Sequence, residues 1–303
     1  MAETYTKKAA FVALVGRPSV GKSTLVNQIC GQKVAIVSAA PQTTRNAIRG
    51  IVNREQGQLV FVDTPGRHRS EKKINKKLME VSFRAVAESD LALYVLDASR
   101  APGPEEAEVA ALLAPLAERT AAAINKADAP GADCLRSREF LSQNLPGLSG
   151  ERCFTVSAKN NEGIEPLLAA LYAMAGEGEP FYGEDYYTDQ PVDFRIAEII
   201  REQAINRLRQ ELPHSLYVEV ADAEFTESPR AGSHLWARAF IIVERESQKG
   251  MVVGKDGGMI KAIRKAALQD LRRIFDWKID LDLRVKTARD WRHNDTTLRR
   301  LIN

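Results

Sequence analysis

Cysteine is scarce in this chain: only three occur in 303 residues, Cys30, Cys134 and Cys153. Their odd number and lack of metal-ligand spacing argue against a disulfide framework or a zinc finger and leave buried, reduced thiols as the reading. Long apolar runs are missing too, none reaching the roughly 18 residues that a membrane span needs. The segment Met1-Ala2-Glu3-Thr4-Tyr5-Thr6-Lys7-Lys8 lacks the apolar core of a signal peptide, so a cytoplasmic protein is expected. There is no internal repeat and no low-complexity tract. A composition 44% hydrophobic and 27% charged is ordinary for a folded chain, which excludes extensive disorder, and the length suffices for two domains with cores. A strong net charge is also absent, the formal value being +3. The charge is uneven, however: residues 1–190 hold 22 Lys/Arg against 23 Asp/Glu, and residues 248–303 hold 14 against 7. Charge alone does not separate a ligand surface from a solvated helix face.

What is present begins with Gly16-Arg17-Pro18-Ser19-Val20-Gly21-Lys22-Ser23, after the apolar run Phe11–Val15 and before the helix-like Thr24–Cys30, which ends at Gly31. Strand, loop and helix are the context that a phosphate-binding loop requires. Its glycines let backbone N–H groups wrap phosphate oxygens, the helix N-terminus adds its dipole, Lys22 neutralises the outer phosphates and Ser23 ligates magnesium, with Thr24 next in the loop-to-helix junction. Val60-Phe61-Val62-Asp63-Thr64-Pro65-Gly66 is a buried strand ending in D-x-x-G. Asp63 reaches the metal through water there, and the Gly66 amide meets a γ-phosphate. In Gln42-Thr43-Thr44-Arg45-Asn46 one hydroxyl closes over magnesium; Thr44 is the choice and Thr43 the fallback. Asn125-Lys126-Ala127-Asp128 follows the apolar Ala121–Ile124, which puts it at the C-terminal edge of a sheet. Asp128 accepts from guanine N1–H and N2–H2, whereas adenine would leave that carboxylate unpaired, so guanine is selected. Ser157-Ala158-Lys159 follows another strand, where its backbone contacts guanine O6.

Strand-like runs at 10–15, 59–62, 91–96, 120–124 and 153–156 alternate with helix-like segments. They predict an α/β domain with a doubly wound, mostly parallel sheet. The Gly/Pro/aromatic stretch Gly176–Tyr187 interrupts this pattern, giving expected divisions at residues 1–175, a linker at 176–190 and a second domain at 191–303. In the second, Phe194, Ala197, Ile200, Ala204 and Leu208 have helical spacing, strand-like runs follow at 215–221 and 235–244, and a last one lies at 278–286. The expected order is α-β-β-α-α-β. Between its two later helices lies Gly254-Lys255-Asp256-Gly257, a G-x-x-G loop that lets a nucleic-acid backbone approach without Cβ interference. Lys249, Lys255, Lys261, Arg264 and Lys265, with Arg272 and Arg273, form the candidate basic rim.

The order of the nucleotide motifs resembles the translation-factor-related class of small GTPases, and the loop with its bracketing elements resembles a type II KH domain. Their combination over nearly the whole chain, with the tail Lys286-Thr287-Ala288-Arg289-Asp290-Trp291-Arg292, resembles the bacterial Era family. The resemblance implies a P-loop GTPase fold followed by an α+β KH domain. It further implies GTP/GDP and Mg2+ as cofactors, hydrolysis of GTP, expected to be slow because no glutamine follows Gly66, and recognition of the 3′ end of small-subunit (16S) rRNA in maturation of the small ribosomal subunit. A monomer and a peripheral association with the inner membrane surface are further expectations. Arg67 stands where Ras-like enzymes carry a water-positioning glutamine. It is read as a solvated switch residue, with a cis arginine finger and a base at His68 as the competing readings. Ser19 stands where potassium-activated relatives carry asparagine, which leaves potassium open. Two rival functions remain at this point: an RNA-binding module with a static nucleotide domain, and a membrane-surface signalling GTPase.

Overall fold

The computed structural model describes residues 7–38, 43–66, 73–208, 212–228 and 232–301. The chain divides into two compact units. The first holds the chain up to Ala35 together with Thr44–Asp189 and the chain from Leu301 on, and the second holds Ile36–Thr43 with Gln190–Arg300.

Nearly unbroken apolar runs become the central strands of the first unit, because a strand covered by helices on both faces has no wet side. These strands are β1 (Lys8–Val15), β3 (Gly57–Asp63), β4 (Leu91–Asp97) and β5 (Thr120–Asn125), and every residue of the last three is buried. With β2 (Ile48–Arg54) and β6 (Cys153–Thr155) they form a sheet of order β2-β3-β1-β4-β5-β6. All neighbours are parallel except β2 with β3, and the two-residue β7 (Gly176–Glu177) adds antiparallel to β1. The helices are α1 (Lys22–Cys30), α2 (Lys73–Glu88), α3 (Pro104–Leu113), α4 (Cys134–Asn144) and α5 (Ile164–Met174). One apolar cluster joins α1 and α5 to the sheet through Leu25, Leu167 and Leu171, and the other joins α3 and α4 through Val109 and Leu141. The parallel arrangement brings the C-terminal ends of β1, β3, β4 and β5 to one edge, where ligands of open α/β sheets bind.

The stretch expected as a linker is fastened to this unit up to Asp189. The buried Gln58 side chain accepts from the Phe181 and Tyr182 amides and donates to the Tyr182 carbonyl. Ile51 donates its amide to the Tyr187 carbonyl at 2.9 Å, and the Phe11 and Phe181 rings lie 4.5 Å apart.

In the second unit, α6 (Val192–Arg207) and a short α7 (Leu212–Ser215) precede the hairpin β8 (Tyr217–Ser228) and β9 (Gly232–Val243). Then come α8 (Glu246–Val253), α9 (Gly258–Ile274), β10 (Lys278–Thr287) and a terminal α10 (Asp295–Leu301). Strand β9 pairs antiparallel with β8 and parallel with β10. Alternate residues of β9, from Leu235 to Val243, face Ile196 and Ile200 of α6 and Ile263, Ala267 and Leu271 of α9 in a single core. The expected α-β-β-α-α-β order holds, with α7 and α10 added.

Candidate functional site: a nucleotide cradle and a KH loop

The phosphate loop runs from β1 into α1. Gly21 sits at φ 96°, and a Cβ there would come within 2.4 Å of Asn125 Nδ2, so glycine is demanded by both conformation and space. Lys22 is buried and donates to the carbonyls of Gly16 at 2.9 Å and Arg17 at 3.1 Å. Burial pulls its ammonium down to about 8, opposed by Asp63 and reinforced by Arg17. A cation held this far from water gains from an anionic ligand more than a solvated lysine would.

Three oxygens meet beside it. Ser23 Oγ lies 2.6 Å from Asp63 Oδ2 and 3.0 Å from Thr44 Oγ1, and Thr44 Oγ1 lies 3.3 Å from the same carboxylate oxygen. Asp63 is fully buried, and its Oδ1 has no hydrogen-bond partner among the described residues. Burial raises its pKa, against Lys22, Ser23 and Thr44. A hydroxyl pair and a buried, half-satisfied carboxylate form an all-oxygen donor set suited to a hard divalent cation such as magnesium. The segment is fixed from within: the Thr64 hydroxyl donates to the Leu14 carbonyl and the Pro65 carbonyl accepts from Ser82. Gln42, Arg67 and His68 lie outside the described residues.

The base-recognition segments converge on the same loop. Asn125 donates to the Val20 carbonyl at 2.9 Å and accepts from the Ala158 amide at 3.0 Å, so one side chain ties the phosphate loop to Ser157–Lys159. Asp128 accepts from Ser157 Oγ at 2.6 Å, and that hydroxyl accepts the Asn160 amide, which orients the carboxylate for a base edge. Lys126 Nζ donates to the Ser19 carbonyl at 2.7 Å and to Asp97 at 2.8 Å. Asp97 was not singled out in the sequence. The available signal was an acidic residue closing a buried apolar strand, the position that Asp63 holds on β3. Burial penalises its carboxylate, but Lys126 and Ser99 outweigh that and keep its pKa below the usual value.

In the second unit, Gly254 follows α8 at φ 72°, and a Cβ there would meet Met259 Cβ at 2.7 Å and its amide nitrogen at 2.9 Å. Lys255 and Asp256 project into solvent, with Asp256 at φ 51°. Lys261 donates to the Asp256 carbonyl at 3.3 Å, Lys249 pairs with Glu246, and Lys265 is exposed on α9. Arg264 is tied to the Leu281 carbonyl of β10 at 2.6 Å. Arg272 and Arg273 end α9 some four turns from the loop, about 20 Å along its axis, which separates them from the rim.

Residues 11–126 match the family described as 50S ribosome-binding GTPase, and residues 211–292 match the KH domain. GTPase Era of Treponema denticola is 49% identical over 290 residues, covering 96% of this chain and 98% of the relative. GTPase Era of Borreliella burgdorferi (strain ZS7) is 41% identical, covering 98% and 100%. The crystal structure of Era in complex with MgGDPNP and nucleotides 1506–1542 of 16S ribosomal RNA matches with a TM-score of 0.89 at 32% identity, covering 97% of this chain and 98% of that one. A substituted Era from Aquifex aeolicus bound to GDP.AlF4- also matches at 0.89 and 32%, covering 96% and 98%. With identity reaching 49% over nearly the whole of both chains, this protein belongs to the Era family, and its reaction is the hydrolysis of GTP to GDP and phosphate.

Proposed function

We propose that the protein is a GTP-driven RNA-binding switch that grips the single-stranded 3′ end of 16S rRNA during maturation of the small ribosomal subunit in the cytoplasm, and that its nucleotide state sets the strength of that grip. One observation carries this reading: a guanine-nucleotide cradle and an exposed G-x-x-G loop occur in one polypeptide. The Era structure solved with MgGDPNP and nucleotides 1506–1542 of 16S rRNA supports both halves of it.

In the cradle, Lys22 exchanges the loop carbonyls for phosphate oxygens and opposes the negative charge of the transferring phosphoryl group. Backbone N–H groups of the Gly16–Ser23 loop, Pro18 excepted, hold the phosphates in line, and Asp128 fixes the base. Ser23, Thr44 and Asp63 hold magnesium, which neutralises phosphate charge when bound. With no glutamine after Gly66, the intrinsic rate is slow. At the loop, Lys255, Lys261 and Lys265 meet the RNA backbone while unstacked bases are read beside it.

Binding of the full chain to the 3′-terminal 16S segment and to a scrambled strand, each with GDP and with a non-hydrolysable GTP analogue, tests the proposal. The 3′ segment is expected to bind tightest with the analogue, and equal affinity in all four arms overturns it. Among the described residues no helix is long and apolar enough to cross a membrane. Anionic vesicles in the same assay address the membrane-surface rival, which predicts vesicle binding without RNA preference.

A further inference from the structure

Arg17 occupies a position that the phosphate-loop motif leaves free, and its side chain is spent inside the protein. Its guanidinium is buried, with Nε donating to Glu106 of α3 and one terminal nitrogen lying 3.3 Å from Asp97 Oδ2. The same Asp97 oxygen accepts Lys126 Nζ at 2.8 Å, and Lys126 Nζ also donates to the carbonyl of Ser19, two residues beyond Arg17. The bonds close a ring: Arg17 to Asp97, Asp97 to Lys126, Lys126 to Ser19, and back along the chain. Both acids are braced from outside. Asp97 Oδ1 accepts the amide and hydroxyl of Ser99, while Glu106 accepts the Gly103 amide and its carbonyl accepts Tyr94 Oη.

The ring also spans two unusual backbone positions. Ser19 lies at φ 64° and Lys126 at φ 63°, left-handed conformations that side-chain-bearing residues adopt only where their surroundings impose them. One belongs to the phosphate loop and the other to the guanine motif, and the Lys126–Ser19 bond joins them directly. A single carboxylate, Asp97, serves the cations from both segments.

We propose that Arg17 is a positioning residue that locks the phosphate loop to the guanine-recognition motif through Asp97, so that base and phosphates are bound as one rigid unit. Arg17 touches neither the reacting phosphoryl group nor the base. Its loss leaves Lys126 as the one cation of the ring on Asp97 and frees the Ser19 carbonyl to drift from Lys126. Nucleotide affinity falls while the chemical step on bound GTP persists. The inference rests on assigning both segments to one nucleotide, and GDP binding by the unaltered protein reports on that assignment separately from the coupling.

The test is a double-mutant cycle on the full chain, reading GDP affinity by titration and kcat at saturating GTP for R17M, K126M and the double variant. The expected result is a ten- to hundredfold weaker GDP affinity for R17M with kcat within twofold, and a double variant within threefold of K126M alone. R17K, which restores the charge, recovers at least part of the affinity. R17K and the isosteric D97N go through the same cycle with Lys126, so that a poorly folded R17M does not leave the question undecided. Unchanged GDP affinity, losses that multiply across the cycle, or a fall in kcat at constant affinity overturns the proposal.

Discussion

In the phosphate cradle Lys22 and Asp63 are 6% and 0% exposed, and neighbouring Arg17 and Asp97 are 8% and 4%. Around the Gly254–Gly257 loop, Lys255, Lys261 and Lys265 stand in solvent, and the pairs near them, such as Lys249 with Glu246, are on the surface. Both regions place a side-chain-bearing residue in left-handed backbone, yet Ser19 is tied by a partly buried ionic ring, and Asp256 by the single exposed Lys261. A buried charge has no water to fall back on, so its partner is specified in position and its loss is costly. Exposed charges act by their sum, are screened by salt and tolerate rearrangement. The first arrangement suits a ligand of one fixed shape, and the second suits a flexible strand.

The comparison breaks most sharply at Lys22. Lys22→Ala is expected to weaken GTP binding on the order of a thousandfold and abolish turnover, since it removes the buried cation that the proposed function assigns to the phosphates. Fluorescent-nucleotide titration and phosphate release measure both effects. Persistent turnover in that variant would remove Lys22 from the reaction. Asp128→Asn comes next. It loses an acceptor for two guanine donors and is expected to cost about a hundredfold in GTP affinity, while xanthine nucleotides, with an oxygen in place of the 2-amino group, gain. A competition titration of GTP against XTP checks the reversal.

Residues whose chemistry demands a fixed spacing were legible in the sequence. Gly16–Ser23, Asp63, Asn125, Asp128 and the Gly254–Gly257 loop stood out as candidates because a phosphate cradle, a purine edge and a close backbone approach each restrict residue type at fixed offsets. The parallel strands were legible for a similar reason, since burial on both faces leaves unbroken apolar runs. Strand β2 escaped notice because it is an edge strand whose pattern is interrupted by Gly50 and Asn53. The docking of Phe181 and Tyr182 escaped because it depends on Gln58, a polar residue buried 123 and 124 positions earlier. Asp97 and Glu106 escaped for the same reason: Arg17 meets them 80 and 89 residues away, and no local pattern marks such a pairing.

At the loop the expected effects are smaller and of another kind. Gly254→Ala forces a Cβ toward Met259 from a left-handed backbone, a strain of about 1–3 kcal/mol that should cost RNA affinity roughly tenfold and leave GDP affinity unchanged. Parallel RNA and GDP titrations of that variant sharpen the contrast, and a matching loss of GDP affinity would show that the two regions are not held independently. Lys255→Ala sits at the bottom of the scale. Removing one exposed phosphate contact is expected to weaken RNA binding about threefold near physiological salt and to flatten the slope of log affinity against log salt by about 0.7, the value for one charge on a single strand. Asp256→Asn should act in the opposite sense, because it deletes the one negative charge among the four loop residues, raising affinity without adding a contact. A salt series on the two variants decides whether charge is summed here. If Lys255→Ala changed affinity by a hundredfold with no change in slope, the loop would be holding its lysine as the cradle holds Lys22, in a fixed and desolvated contact, and the difference between the two regions would disappear.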